Sequence, residues 1–388
     1  MIENTTAEGV FINLVRSVIN NEKPEALPEG VTADELYEIG YKQKMVSMIL
    51  CALNMIRPKP VSDNWGKYLT LFSAGCLNSE VQMDEYHKLV DYLCKNGVKI
   101  IPLKGCVING LYPSVGLRTM SDVDLLYSGV STKDLAKLMK AVGYKAESLG
   151  MGSHDVFSKE GNISIELHRK LVFDYSPYRP VLENMFDKAV ADENIPNLYH
   201  MKPEDLYIHV IVHAAKHFSK SGLGIRPLVD IYLLIRAYAE QWDSAYIARQ
   251  LASVKLDVFE GKLRQNAIAF FGNQATEIDD EEFRFFFRAG LYGIHHDVAW
   301  EYKTKGKSGR LGFFLHRTFY PYSQMCEMFP ILMKYPVLLP FAWLYRIIDV
   351  LLHRRQNVVA VANASCGSKE TEYAEYALQM MKEFGLRE

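Results

Sequence analysis

The chain has 388 residues, 49% of them hydrophobic and 23% charged, the balance of a soluble globular protein with room for two or three domains. Its formal net charge is −2, so no cationic surplus exists to neutralise a phosphate backbone, and extended DNA binding is excluded as a default. The six cysteines form no Cys-x-x-Cys pair, the first residues lack a basic and apolar leader, and no apolar run reaches the roughly 18 residues of a transmembrane segment. The expectation is a cytoplasmic protein with reduced thiols.

Residues 1–96 read as an N-terminal helical region. Phe11, Leu14, Val15, Val18 and Ile19 share one helical face. Thr32-Ala-Asp-Glu35 has the spacing of a capping box and predicts a helix running to Met55. A longer helix is expected from Asp63 to Asn96, with Gly97 as its C-cap. The pattern then changes. Val98–Leu103 and Val123–Tyr127 are short β-branched or apolar runs that read as strands, with a short helix over 105–112 between them. Thr132–Val142 is an amphipathic helix ended by Gly143, and His154–Lys159 and Asn162–Leu171 read as strands joined by a Glu160-Gly161 turn. Residues 97–175 thus form a small mixed-sheet core, and the fold class is α+β.

From 176 to 388 the helical period dominates. Helices are expected over 203–219, 227–240, 243–253, 256–271, 280–299, 311–329 and 340–355. Lys303–Arg310 reads as a basic solvated loop, and 363–369 as a linker before a last short helix. The apolar, aromatic run Tyr335–Arg355 reads as a buried helix, with an interfacial membrane helix as the alternative.

The chemistry concentrates in residues 103–126. Asp122 and Asp124, at i and i+2 on a strand, project from the same face. Such neighbours repel, and a hard divalent cation such as Mg²⁺ resolves the repulsion. Glu166, between Ile165 and Leu167, offers a third carboxylate from another strand. Three such acids suit two metal ions about 3.5–4 Å apart. Lys104-Gly105 follows a strand and opens a helix, where backbone N–H groups favour an anion. Arg118 can clamp a phosphate with its fork, and Ser121 can donate a hydroxyl. His209, His213 and His217 recur at i, i+4 and i+8 and line one helix face. His213 and His217 are expected to line a cleft or hydrogen-bond Asp230 on the next helix. Zinc on this face is the weaker reading, since no Cys or acid completes a ligand set. Lys216 and Arg226 are weaker candidates for nucleotide-pocket cations.

Lys104 to Leu126, with Glu166-Leu-His168 after it, resembles the polymerase-β-like nucleotidyltransferase superfamily. The closest likeness is to its uncharacterised branch, with a Leu-Lys-Gly, Tyr, Arg, Asp-hydrophobic-Asp pattern. Lys104-Gly105 stands where the wider superfamily usually has Gly-Gly or Gly-Ser, which removes the serine that commonly touches the triphosphate. The resemblance implies Asp122 and Asp124 as bridging ligands of two Mg²⁺ ions and Glu166 as the third carboxylate. The helical remainder resembles the same branch less specifically, through His213, His217 and Asp230, and His168 is a further candidate for lining the cleft. The expected reaction is transfer of a nucleoside monophosphate from an NTP to an acceptor hydroxyl, with pyrophosphate released. The acceptor is a small molecule, a sugar, a protein or an RNA end. The rival readings are a nucleotide-binding regulatory protein that has lost turnover, and a helical interaction protein with a coincidental Asp-x-Asp.

Overall fold

The computed structural model describes residues 5–150, 152–161, 163–272, 279–289, 315, 318–329, 331–349 and 368–387. Helix α1 (Ala7–Ile19) opens on Thr6, whose hydroxyl accepts the Gly9 N–H. The Thr32–Glu35 capping box opens α2 (Ala33–Gln43). The helix expected to continue to Met55 is instead broken. Lys44 takes a left-handed φ of 55°, and α3 (Val46–Met55) starts anew. No Gly or Pro marks this kink. Its physical reason is the buried Gln43, whose amide donates to the carbonyls of Phe286 and Phe287 and accepts the Ile225 N–H. Three distant backbone groups outweigh the local propensity for a continuous helix.

Helix α4 (Trp65–Lys95) is 31 residues long, about 46 Å at 1.5 Å per residue. Near its start, the buried Tyr68 hydroxyl donates to Ala33 O at 2.8 Å. At its far end Leu89, Val90 and Leu93 pack into the sheet's hydrophobic core. The helix therefore spans from the N-terminal layer to the sheet.

The sheet comprises β1 (Lys99–Pro102), β2 (Val123–Ser128), β3 (Lys145–Ser148), β4 (His154–Lys159) and β5 (Ile163–His168), in the order β1-β2-β5-β4-β3. β2 and β5 run parallel and the other neighbours antiparallel. Ile100, Val123, Leu125, Phe157, Ile165 and Leu167 point to one face, which shares a core with α4 and with α6 (Thr132–Ala141). The alternate positions Asp124, Glu166, His168 and His154 take the other face. Edge strand β3 was not expected. Its residues are mostly exposed, so no alternation signals it. Between β1 and β2, the helix expected over 105–112 is a single turn, α5 (Lys104–Ile108), followed by a 3₁₀ turn to Leu111.

Two short helices, α7 (Arg179–Leu182) and α8 (Met185–Lys188), and the strand pair β6 (Val190–Ala191) and β7 (Tyr199–His200), lead into the C-terminal helices. These are α9 (Pro203–Ser221), α10 (Ile225–Tyr238), α11 (Ser244–Ser253), α12 (Asp257–Phe271) and α13 (Asp280–Ala289). They share one continuous apolar core with α1–α3. Polar contacts tie the two regions together as well. Arg16 of α1 and Asn20 at its C-cap donate to Phe270 O and Phe271 O at 2.9 Å each. The last helix, Ser368–Glu383, is longer than expected, and Phe384 just beyond it packs among the rings of Phe218, Phe259 and Phe286. Helix Leu339–Asp349 departs from the buried reading. Phe341, Leu344 and Tyr345 are exposed, and one face alone packs on a small cluster around Met325 and Leu332. The loop 303–310, most of the linker 363–369 and the outer parts of the expected helices 280–299, 311–329 and 340–355 lie outside the described residues. No helix among the described residues is long and apolar enough to cross a membrane.

Helix α4 also braces the loop that carries Arg118–Asp122. Cys76 Sγ sits against Val115 O, and Gln82 donates to Met120 O at 3.2 Å. Gly116 is held at φ 83°, and a Cβ there would overlap Cys76 Sγ and approach the Cys76 backbone to 3.1 Å. Left-handed backbone costs a non-glycine residue about 1–2 kcal/mol before any overlap is counted. Gly116→Ala is therefore expected to lower unfolding free energy by at least that much in a denaturant titration. Gly110→Ala, with open space at its Cβ, should change it by less than about 0.5 kcal/mol.

Candidate active site

The parallel register sets Asp124 directly opposite Glu166, and Asp122 immediately precedes β2. One carboxylate oxygen from each of these three residues lies within 4.8 Å of the others. Asp124 is buried, while Asp122 and Glu166 are half-buried. Such a concentration of acid needs compensation. Lys104 Nζ stands 3.2 Å from Asp124 Oδ2, and His168 Nε2 stands 3.0 Å from Oδ1. Burial opposes the charge on Asp124, but the His168 hydrogen bond and the Lys104 ammonium outweigh it and hold the carboxyl well below the usual range. Asp122 moves the other way, raised by burial and by its repulsion from Asp124. Burial disfavours a charged His168, yet its hydrogen bond to Asp124 and the neighbouring Glu166 carboxylate raise its pKa. Three oxygen donors from carboxylates of this spacing fit a hard divalent cation such as Mg²⁺.

Lys104, Asp122, Asp124 and Glu166 line a cavity of about 330 Å³ together with Gly105, Arg118, Ser121, His213, His217, Arg226 and Asp230, whereas His168, expected at the cleft, is not among its lining residues. That volume is at the lower end for a small-molecule cleft. Lys104 begins α5, and its Nζ also reaches His213 Nε2 at 2.9 Å. Gly105 follows it, buried, with the Arg118 guanidinium and the Met120 side chain just beyond where a Cβ would stand. The exposed Ser121 hydroxyl donates to Asp122 Oδ1 at 2.8 Å.

Arg118, expected from its sequence context to clamp a phosphate, is paired with a carboxylate in this structure. Its Nε and Nη2 donate to the two oxygens of Asp230, each at 2.9 Å, and the Tyr112 hydroxyl donates to Asp230 Oδ1 at 2.6 Å. All three residues are buried. The partner expected for His213 and His217 is thus already committed. Those histidines line the cavity, but they pair with each other, Nε2 to Nε2 at 3.2 Å. His209 lies deeper on α9, buried. Burial, then the nearby Lys104 charge, pushes His209 down to about 3 and His213 well below its ordinary value. Arg226 lines the cavity and donates to Thr119 O, while Lys216 is not part of the lining. Among the described residues, no candidate ion-binding group includes the α9 histidines.

Sequence reasoning missed two participants. His154 pairs with His168 across β4 and β5, and its place on the polar face was readable from strand alternation. Tyr112 was legible only as part of a pattern, since nothing local shows that it meets Asp230.

Residues 29–272 match the family described as "Uncharacterised nucleotidyltransferase". The match spans more than half of the chain, and the protein belongs to that family. Among solved structures, an antigenic nucleotidyltransferase-like protein from Paracoccidioides brasiliensis is similar at 18% identity and a TM-score of 0.32, covering 50% of this chain and 93% of that one. This likeness is too low to transfer a role to any residue. No match was found among curated proteins.

The Arg118–Asp230–Tyr112 group gives a stability prediction. Asp230→Ala leaves a buried guanidinium without its counter-charge and should cost about 3–5 kcal/mol. Tyr112→Phe keeps the ion pair and should cost about 1.5–3 kcal/mol. Denaturant midpoints of the two variants rank them. The α9 histidines give a pH prediction. Burial keeps His209 and His213 neutral in the folded state, while an unfolded histidine takes up its proton near its ordinary value of about 6.5. Below that pH the unfolded chain binds more protons, so stability falls as pH drops from about 6.5 towards about 3, by up to about 1.4 kcal/mol per pH unit for each group. His209→Leu should flatten that slope in unfolding curves measured across the window.

Proposed function

We propose that the protein transfers a nucleoside monophosphate from an NTP to an acceptor hydroxyl and releases pyrophosphate. The observation that carries this reading is the convergence of Asp122, Asp124 and Glu166 at a cavity that also holds Lys104 and Arg226. In this reading Asp122, Asp124 and Glu166 hold the divalent ions. Such ions, when bound, neutralise charge on the transferring phosphoryl group. Lys104 leaves Asp124 and turns to the phosphates as a point charge. Arg226 supplies a second cation from α10. Glu166 accepts the proton of the attacking hydroxyl. Arg118 acts at one remove. Its pairing with Asp230 ties the loop before Asp122 to α10 and so fixes the aspartates relative to the cavity.

One observation favours a second reading, a nucleotide-binding regulatory protein without turnover. Lys104 already neutralises Asp124 at 3.2 Å, which a site freed from catalysis can keep. Calorimetry with ATP and Mg²⁺, followed by a pyrophosphate assay across acceptor pools, separates the two. Binding without release in every pool supports the regulatory protein.

The transferase reading predicts that labelled ATP, GTP, CTP or UTP, incubated with the protein, Mg²⁺ and cell lysate, leaves label on an acceptor. Asp124→Asn and Glu166→Gln should each reduce transfer by about 10²–10³-fold while thermal unfolding stays cooperative. Transfer at the unmodified rate in both variants would sink the assignment.

A further inference from the structure

The three-carboxylate group leaves a second set of donors on the same sheet face unexplained. His154 lies directly opposite His168 in the β4–β5 pairing, and Glu166 is two residues from His168 on β5. The imidazole centroids are 4.9 Å apart and the rings are inclined by 44°. Both Nε2 atoms turn to a single oxygen. Glu166 Oε2 is 3.5 Å from His168 Nε2 and 3.7 Å from His154 Nε2. Asp124 Oδ1 is 3.0 Å from the same His168 nitrogen.

Hydrogen bonding accounts for the His168–Asp124 contact alone. Separations of 3.5 and 3.7 Å are longer than hydrogen bonds of this type. They are close to another distance. Ligand atoms around a tetrahedral Zn²⁺, each about 2.0–2.1 Å from the ion, stand roughly 3.3–3.4 Å from one another. The donor types point the same way. Imidazole nitrogens select a transition ion, whereas Mg²⁺ takes oxygen and dehydrates reluctantly.

We propose that His154, His168 and Glu166 form a transition-metal site for an ion of the Zn²⁺ class, with Asp124 Oδ1 as a fourth donor. The ligand atoms of the first three already lie within 4.8 Å of one another. The site is distinct from the carboxylate group in excluding Asp122 and in its two nitrogen donors. Glu166 and Asp124 belong to both. It rests on this donor set and not on nucleotidyl transfer, so it stands or falls separately from the activity proposed above.

Co²⁺ is the probe, because its visible absorption reports nitrogen ligands and low coordination number. Full-length, chelator-treated protein without an affinity tag is titrated with CoCl₂ and then with ZnCl₂. The expected result is a saturable visible band at one Co²⁺ per chain, displaced by Zn²⁺ and retained in a large excess of Mg²⁺. Affinity should fall at least about ten-fold in His154→Ala and in His168→Ala. It should hold in Asp122→Asn and in His87→Ala, a histidine remote from the sheet face. His154 is partly exposed, so its variant carries the test if His168→Ala fails to fold. The proposal is overturned by the absence of a visible band, by a band indifferent to His154→Ala, or by one that excess Mg²⁺ removes.

Discussion

Backbone pairing between the parallel strands β2 and β5 is the constraint on which the site depends. Ladder bonds fix Asp124 against Glu166 and Leu126 against His168. A slip of one residue would turn Glu166 into the apolar face in place of Ile165 and Leu167, and would bring those two out beside Asp124. That exchange is blocked by burial, since Ile165 and Leu167 are fully enclosed. The apolar side of the sheet therefore determines which acids meet on its polar side. Antiparallel β4 extends the same arrangement by one strand, bringing His154 opposite His168.

Placing acids together in a half-enclosed site creates a charge problem, and the chain solves it locally. Asp124 is flanked by Lys104 and His168. Asp230 is matched by Arg118 and Tyr112. The two solutions differ in kind. Arg118 meets Asp230 with two parallel bonds in a buried setting, a geometry that specifies orientation. Lys104 meets Asp124 with a single contact from a flexible, partly exposed stem, a geometry that can be given up when another cation or a phosphate arrives. One pair is suited to structure and the other to exchange.

The parts legible in sequence were those governed by local rules. Alternation around Ile165-Glu166-Leu167 predicted the polar face of β5, and Thr32–Glu35 marked the start of α2. Asp122 and Asp124 were legible as neighbours because the strand period is two. What escaped was fixed by distant contacts. The break at Lys44 follows from the partners Gln43 finds on α10 and α13. Arg118 looked like a phosphate clamp because its partner, Asp230, is 112 positions away. β3 carries too few buried side chains to leave a pattern. The exposed face of Leu339–Asp349 contradicts an apolar sequence because helical period alone does not say which face finds a neighbour.

The separation between Arg118 and Asp230 bears on how the protein is made. A chain synthesised from its N-terminus can pair all five strands of the sheet once His168 has emerged. α10, which supplies Asp230, is still to come, so the Arg118 guanidinium waits in a partly formed interior until then. Closing a long loop before the ion pair rewards it is slow relative to local helix formation, and collapsed intermediates with exposed apolar surface are prone to aggregate. The cavity thus stays incomplete until α10 has been made. A nascent chain that stalls between β5 and α10 holds its acids in register but lacks the wall against which a substrate would be bound.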